Sequence, residues 1–435
     1  MQDKIKKEVS SMLLSLKQGI LQVFTANVIN KIIVMISNMV ITRILTKSSF
    51  GLWSYVLNIY SYASLCTGLG LASGALQFGS ENRGNLKRFE YYKYCLSFGL
   101  IVNAFISIIF IMGSFLFKFH IEGSSVYIRY YVPILLVEYT IDILLTVLRC
   151  EGRMIEYARI LNVNTILIAV LTCLGAFFNI TGIIVGKYLA VLFSVIHIVK
   201  ITKKEIKSII LSAWISANQK KEIWHYSIFT GLSSVLNRML YLIDVSMIAS
   251  LVMNASDVAV YKVSTMIPNS LYFIPSSIIV VILPTIVAHN NDRVWLKSKI
   301  KKLYFGISLL NLGTGIFLII FARFIIILVS GTQYSDSVYP FRVLVLGYMI
   351  AGTFRDLSVN ILAGLRKVSF NLVISVITGI FDIVLNLFLI KKYGMIGAAY
   401  ATFIVEILAS IASFSFVLWV LKKGSMVKRN DKKVV

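Results

Sequence analysis

Charge is scarce in this sequence: Asp, Glu, Lys and Arg make up 14% of 435 residues, where a soluble domain carries about 25%. With 58% hydrophobic residues and a mean hydropathy of +0.83, a water-soluble globule is excluded. No G-x-x-x-x-G-K-[ST] stretch is present, so ATP is not the direct energy source. The four cysteines, Cys66, Cys95, Cys150 and Cys173, form no C-x-x-C and have no histidine at ligand spacing, and they read as small core residues. His120, His197, His225 and His289 fall near helix ends in unrelated segments, which argues against a metal centre. Large polar loops are also missing, and with them the place where a membrane glycosyltransferase or polymerase would keep its catalytic carboxylates. An enzyme is therefore not expected, and no cofactor is implied. The N-terminal stretch is basic and amphipathic, without a compact apolar core and small-residue cleavage site, and residues 1–19 read as a retained cytoplasmic leader.

What is present is apolar sequence in long runs. A spanning helix needs about 20 such residues, and the chain offers about twelve runs of that kind. They lie near 20–42, 50–75, 94–117, 127–149, 158–178, 180–200, 226–250, 258–288, 303–329, 338–364, 368–390 and 396–422. The expected fold is all-α and polytopic, with two six-helix lobes at 20–200 and 226–422. A polar linker at 201–225 joins them, and a basic tail follows at 423–435. Most of the 43 Lys and Arg residues fall in the leader, the loops after even-numbered runs and the tail. By the positive-inside rule both termini are cytoplasmic. The net charge of +24 is thereby spread over short loops beside anionic headgroups. Membrane lipids are the expected partner of that charge, and nucleic acid is not.

The two halves carry a short internal repeat. VINKIIVMIS (28–37) aligns with VLNRMLYLID (235–244), pairing Val28 with Val235, Asn30 with Asn237 and Lys31 with Arg238. Both segments open a six-span half and run in the same direction. Parallel repeats of this kind, related by an axis along the membrane normal, are a transporter arrangement with a central cavity.

Three longer stretches carry a family likeness: TRILTKSSFGLWSYVLNIYSYASLCTGLGLASGALQFGSE (42–81), VAVYKVSTMIPNSLYFIPSSIIVVILPTIV (258–287) and NLFLIKKYGMIGAAYAT (386–402). The chain resembles the Wzx-type polysaccharide flippases, within the superfamily that also holds the lipid II flippase and the multidrug and toxin extrusion antiporters. The likeness implies a MATE-like fold. It also implies movement of undecaprenyl-diphosphate-linked oligosaccharide to the outer leaflet, driven by an ion gradient, beside a polysaccharide polymerase and glycosyltransferases. A cation-coupled drug antiporter on the same fold is the competing expectation. Neither the sugar nor the end product is named by these residues.

Residue chemistry supplies candidates for each step. A diphosphate needs cations in a partly dehydrated cavity, and Lys31, Arg238 and Arg355 are the substrate-binding candidates; the alternative for Lys31 and Arg238 is pairing with a nearby carboxylate. Arg355 and Asp356 are adjacent, so a regular helix would point them about 100° apart. Lys262 is close to one end of its run and reads as snorkelling to the interface. Glu138 and Asp142 share a helix face at i, i+4, with Lys31 or Lys187 as the compensating cation, in an ion-pair network or a proton path. Asp382 and Asn386 are one turn apart on the eleventh run, and Ala398 and Thr402 one turn apart on the twelfth. Rise per residue places Thr402, Asn386 and Asp244 at similar depth. Oxygen ligands of this kind suit a hard monovalent cation. The expected Na+ site is Asp244, Asp382, Asn386 and Thr402, with the Ala398 carbonyl, and Glu406 would make it a proton carrier instead. The family likeness points the same way, to a sodium site between the seventh, eleventh and twelfth spans, although acid and amide appear here in reversed order.

Overall fold

In the computed structural model, residues 25–82, 84–275, 278–279, 282, 286, 292–365 and 367–423 are described. The leader to residue 24, the basic tail and the end of the eighth predicted span lie outside them, as does the side chain of Arg238. The described residues form helices throughout: α1 Thr25–Ile44, α2 Lys47–Leu65, α3 Leu71–Glu81, α4 Lys87–Leu116, α5 Ser124–Tyr131, α6 Ile134–Cys150, α7 Met154–Ala176, α8 Asn179–Ile201 and α9 Lys203–Leu211. The chain continues through α10 Ala217–Val252, α11 Ala255–Leu271, α12 Arg293–Ile320, α13 Ala322–Ser330, α14 Val338–Phe354, α15 Asp356–Gly364, α16 Val368–Tyr393 and α17 Met395–Lys423.

Nine helices among the described residues are long and apolar enough to cross a membrane. The second, seventh and eighth predicted spans are the ones missing from that count, for three separate reasons. The second is broken between α2 and α3, where Gly68, Leu69 and Gly70 all take positive φ. The seventh, α10, has 36 residues, enough for about 54 Å, but its apolar part is the shorter stretch Leu242–Val252. The eighth is described only as far as the 17 residues of α11 and a few beyond.

Helices run past several of the apolar segments. The α4 helix begins at Lys87, α10 at Ala217 and α12 at Arg293, each continuing through a basic, aromatic turn before the apolar run starts. Such turns suit the headgroup zone, where Lys and Arg snorkel and aromatic rings settle. Two of these starts are capped by side chains: Ser216 and Gln219 form a capping box on α10, and Asp292 accepts from the Trp295 amide on α12. Ile101, Phe105, Ile108, Met112 and Leu116 form an exposed stripe on α4, as a lipid-facing surface requires.

Packing divides the chain into two compact units, Met1–Ala259 and Val260–Val435. In the first, α7 packs on α8, and a Cβ on Gly175 would come within 2.1 Å of the Gly182 carbonyl oxygen. Backbones meet there because no side chain intervenes, the usual way helices associate in lipid. The α10 helix belongs to the same unit and packs on α2 and α3. In the second unit α16 packs on α17. The G-x-x-G of residues 394–397 makes that junction: Gly394 ends α16 at φ 60°, and a Cβ on Gly397 would lie 2.1 Å from the Leu389 carbonyl oxygen. The predicted linker contains α9, which is pinned by Lys93 donating to the carbonyls of Ile210 and Ser212 at 3.0 and 2.6 Å.

Candidate functional site

The first unit holds a partly buried charge pair. Lys187 on α8 is buried, and its Nζ lies 2.6 Å from Glu138 Oε1 on α6. The other carboxylate oxygen, Oε2, accepts the Tyr60 hydroxyl of α2 at 2.5 Å. Of the two cations expected beside Glu138, the one the structure pairs with it is Lys187. Asp142, one turn further on, is exposed while Glu138 is half-buried. Lys31 is exposed on α1.

Asp244 is half-buried on α10, between two residues that clasp α2. Asn58 Nδ2 donates to the Leu242 carbonyl at 3.1 Å, and Ser246 Oγ donates to Asn58 Oδ1 at 2.8 Å. A polar seam therefore runs along α2 and α10 at the level of Asp244. Beyond it, backbone meets backbone: a Cβ on Gly51 of α2 would fall 1.7 Å from the carbonyl oxygen of Ala255, the first residue of α11, and one on Gly70, between α2 and α3, 2.1 Å from Ser227 O on α10.

The second unit contains the other four proposed cation ligands. Asp382 and Asn386 on α16 are buried, and Asn386 Nδ2 donates to Asp382 Oδ1 at 3.1 Å. Thr402 on α17 donates to the Ala398 carbonyl at 2.9 Å, and its Oγ1 lies 3.1 Å from the Tyr261 hydroxyl. The four residues thus form one pair on each of two adjoining helices, and oxygen is the donor type throughout. Among the described residues no group of three or more His, Cys, Asp or Glu could hold a metal ion. A cation here would be held by a mixed set of carboxylate, amide, hydroxyl and carbonyl oxygens, which fits Na+ better than a transition metal.

Arg355 lies at the junction of α14 and α15, and its side chain is committed to carboxylates. Its Nε is 3.0 Å from Asp356 Oδ1, and its NH1 3.3 Å from Glu406 Oε1 on α17. Arg355 keeps helical backbone angles, φ −82° and ψ −60°, with its amide bonded to the Ala351 carbonyl and its carbonyl to the Val359 amide, and the long guanidinium arm folds back onto its neighbour. Glu406 also accepts the Tyr272 hydroxyl at 2.6 Å, and Gly347 leaves room for it, since a Cβ there would be 3.1 Å from Glu406 Oε2. Next to this cluster, Tyr348 donates to Asn311 Oδ1 at 3.0 Å and Asn311 Nδ2 to Thr353 Oγ1 at 2.9 Å.

Lys262 contrasts with Arg355 and Lys187. It is exposed between buried Tyr261 and Val263 on α11, about 10 Å along the helix from Ala255. Among the described residues its ammonium has no hydrogen-bond or ion-pair partner. The sequence reading took it as a lysine snorkelling to the interface and left its partners open, because pairing is a property of neighbours that spacing does not disclose. Tyr60, Tyr272 and Asn311 escaped the sequence reading for the same reason.

This architecture has solved counterparts. The lipid II flippase MurJ in an inward-closed conformation superposes with a TM-score of 0.73 at 13% identity, covering 91% of this chain and 87% of MurJ. A multidrug resistance MATE family transporter in an inward-facing conformation gives 0.67 at 14%, covering 91% and 96%. A MOP superfamily transporter from Pyrococcus furiosus, described as having a binding pocket of reverse polarity, gives 0.61 at 14%, covering 93% and 96%. The fold is that of the MOP superfamily of multi-pass membrane transporters. The sequence matches the family described as polysaccharide biosynthesis protein over residues 16–290, and the chain belongs to that family. No curated protein matches it. The solved neighbours are described as a lipid II flippase and as transporters.

Proposed function

We propose that this transporter is a Wzx-type flippase, which moves an undecaprenyl-diphosphate-linked oligosaccharide from the cytoplasmic to the outer leaflet by ion-coupled alternating access. The observation that carries the reading is Lys262. Among the described residues Lys262 has no ionic partner, and a cation in a spanning helix costs up to roughly 2.5–3.5 kcal/mol at the centre on translocon scales. That cost is avoided where the ammonium faces a hydrated cavity, and it is repaid in function where an anion visits that cavity. A diphosphate is such an anion. Lys262, with Lys31 and Arg238, is assigned to it, while Arg355 is already engaged by Asp356 and Glu406. A lipophilic drug cation would be repelled by the same lysines, which disfavours the antiporter reading. The polyprenyl tail stays in lipid, and the headgroup alone crosses. Polymerase and glycosyltransferases supply and consume the glycan.

In this reading Na+ is the coupling ion, at Asp244, Asp382, Asn386, Thr402 and the Ala398 carbonyl; protons are the alternative. Both termini lie in the cytoplasm of a bacterial cell with the transporter in its inner membrane. Single cysteines at 332–337 are expected to react with an impermeant thiol reagent added outside intact cells, and cysteines at 203–211 are not. The opposite labelling would invert the orientation. The function itself is tested by following a fluorescent lipid-linked glycan across proteoliposomes.

A further inference from the structure

The two partly buried charge clusters are copies of one another. Tyr60, Glu138 and Lys187 come from the second, fourth and sixth predicted spans, and Tyr272, Arg355 and Glu406 from the eighth, tenth and twelfth. A parallel repeat superposes those spans pair by pair. In each set a tyrosine from the first of the three spans donates to a carboxylate, at 2.5 Å to Glu138 and 2.6 Å to Glu406. In each, a cation on the remaining span closes the group, Lys187 at 2.6 Å and Arg355 at 3.3 Å. The supporting aromatic ring also repeats. Tyr60 meets Tyr131 edge to face at 4.7 Å, and Tyr272 meets Tyr348 in the same way at 5.2 Å. Tyr131 precedes Glu138 by two helical turns, and Tyr348 precedes Arg355 by the same two turns.

Two properties do not repeat: Arg355 has a second carboxylate beside it, Asp356 at 3.0 Å, and the polarity of the pair is exchanged. The carboxylate is on the fourth span and the cation on the sixth in the first unit, whereas the tenth span carries the cation and the twelfth the carboxylate in the second. The molecule therefore contains both polarities of the same arrangement. If the first charge pair bound substrate through its cation, or carried a proton through its carboxylate, the reacting group would change span from one half to the other. What survives the exchange is a joint between three parallel spans, made by one phenol and one ion pair.

We propose that these triads are repeat-related clasps, which lock the even-numbered spans of each half into one piece, and that Glu138, Lys187, Glu406 and Arg355 position helices rather than handle ligand or protons. Removing one member of a buried pair leaves an uncompensated charge, whereas removing both is tolerated. The polarity of the pair is immaterial to the clasp.

The test uses the full-length protein in lipid nanodiscs for thermal unfolding and in proteoliposomes for transport. Glu138→Gln and Lys187→Met are each expected to lower the unfolding midpoint and to reduce transport by on the order of tenfold. The double variant Glu138→Gln/Lys187→Met should regain most of both, and the exchanged variant Glu138→Lys/Lys187→Glu should do the same, because it installs the polarity of the second unit. Additive losses in the double variant would overturn the clasp. So would a double variant of normal stability without transport, since the charges would then be acting on ligand or proton. The stability arm is read without any substrate, so its outcome stands whether or not the flippase assignment holds. The neutral double variant keeps the test decisive should the exchanged one fail to fold.

Discussion

Lys262→Ala is expected to lower transport of a lipid-linked diphosphate glycan by about 10- to 100-fold while leaving the protein at least as stable as before. Hydrogen bonds to charged groups contribute about 1.5–3 kcal/mol, and each 1.36 kcal/mol lost from the transition state costs a factor of about ten. Stability moves the other way because the substitution removes an unpaired cation from a spanning helix. No structural partner is lost with it, since among the described residues Lys262 has none. Lys262→Arg keeps the charge and should retain most transport. Lys31→Ala and Arg238→Ala are expected to reduce transport as well. Lys187→Met should lower stability together with transport, because it strands Glu138. The contrast between the two lysines, one costing transport alone and the other costing stability as well, separates ligand from clasp. It is measured by paired transport assays and thermal unfolding at matched abundance. Normal transport in Lys262→Ala would remove it from the substrate path.

Sodium is expected to raise the unfolding midpoint of the purified protein, and potassium at equal ionic strength is not. A ligand that binds only the folded state at 100 times its Kd adds about 2.7 kcal/mol. The ligands assigned to it are drawn from α10, α16 and α17, so neutralising a carboxylate at either end should abolish the effect. Asp382→Asn keeps the volume and the Asn386 hydrogen-bonding partner but removes the charge, and Asp244→Asn does the same on α10. Thr402→Val should weaken the response without eliminating it, since one neutral oxygen is lost. Stabilisation that survives both Asp variants would exclude this site. Its absence in the wild type, with a midpoint that depends on pH, would favour protons.

Much of the fold was legible in the sequence because lipid leaves few options. Every backbone polar group must be satisfied within the helix, so long apolar runs can be little else than spanning helices. Boundaries were less legible. The apolar segment near 226–250 is part of a helix that begins at Ala217, since KKEIWH prefers helix as well as it tolerates the headgroup zone. The break at Gly68–Gly70 was hidden inside an apolar run, because a positive φ leaves no trace in hydropathy.

The candidate residues were legible by type and not by partner. Asp382 and Asn386 were recognised as a pair from one-turn spacing, and the structure joins them by a 3.1 Å hydrogen bond. Glu138 and Asp142 have the same spacing, yet Glu138 turns to Lys187, 49 positions along the chain, while Asp142 is exposed. Spacing within a helix is fixed by geometry, whereas partners on other helices are fixed by packing. The clasp repeat shows the same limit: its members align only after the helices are placed, because the loops between them differ in length.

The reconstituted protein provides the most direct test of the assignment. Undecaprenyl diphosphate carrying a short fluorescent oligosaccharide is loaded in both leaflets of proteoliposomes, and accessibility of the fluorophore to a membrane-impermeant quencher is followed with time under an inward ion gradient. The expected result is redistribution that requires the wild-type protein, collapses with the gradient and is largely lost in Lys262→Ala, with a fluorescent cationic drug left unmoved. Movement of the drug cation, with the glycan lipid static, would contradict the flippase assignment and establish the antiporter in its place.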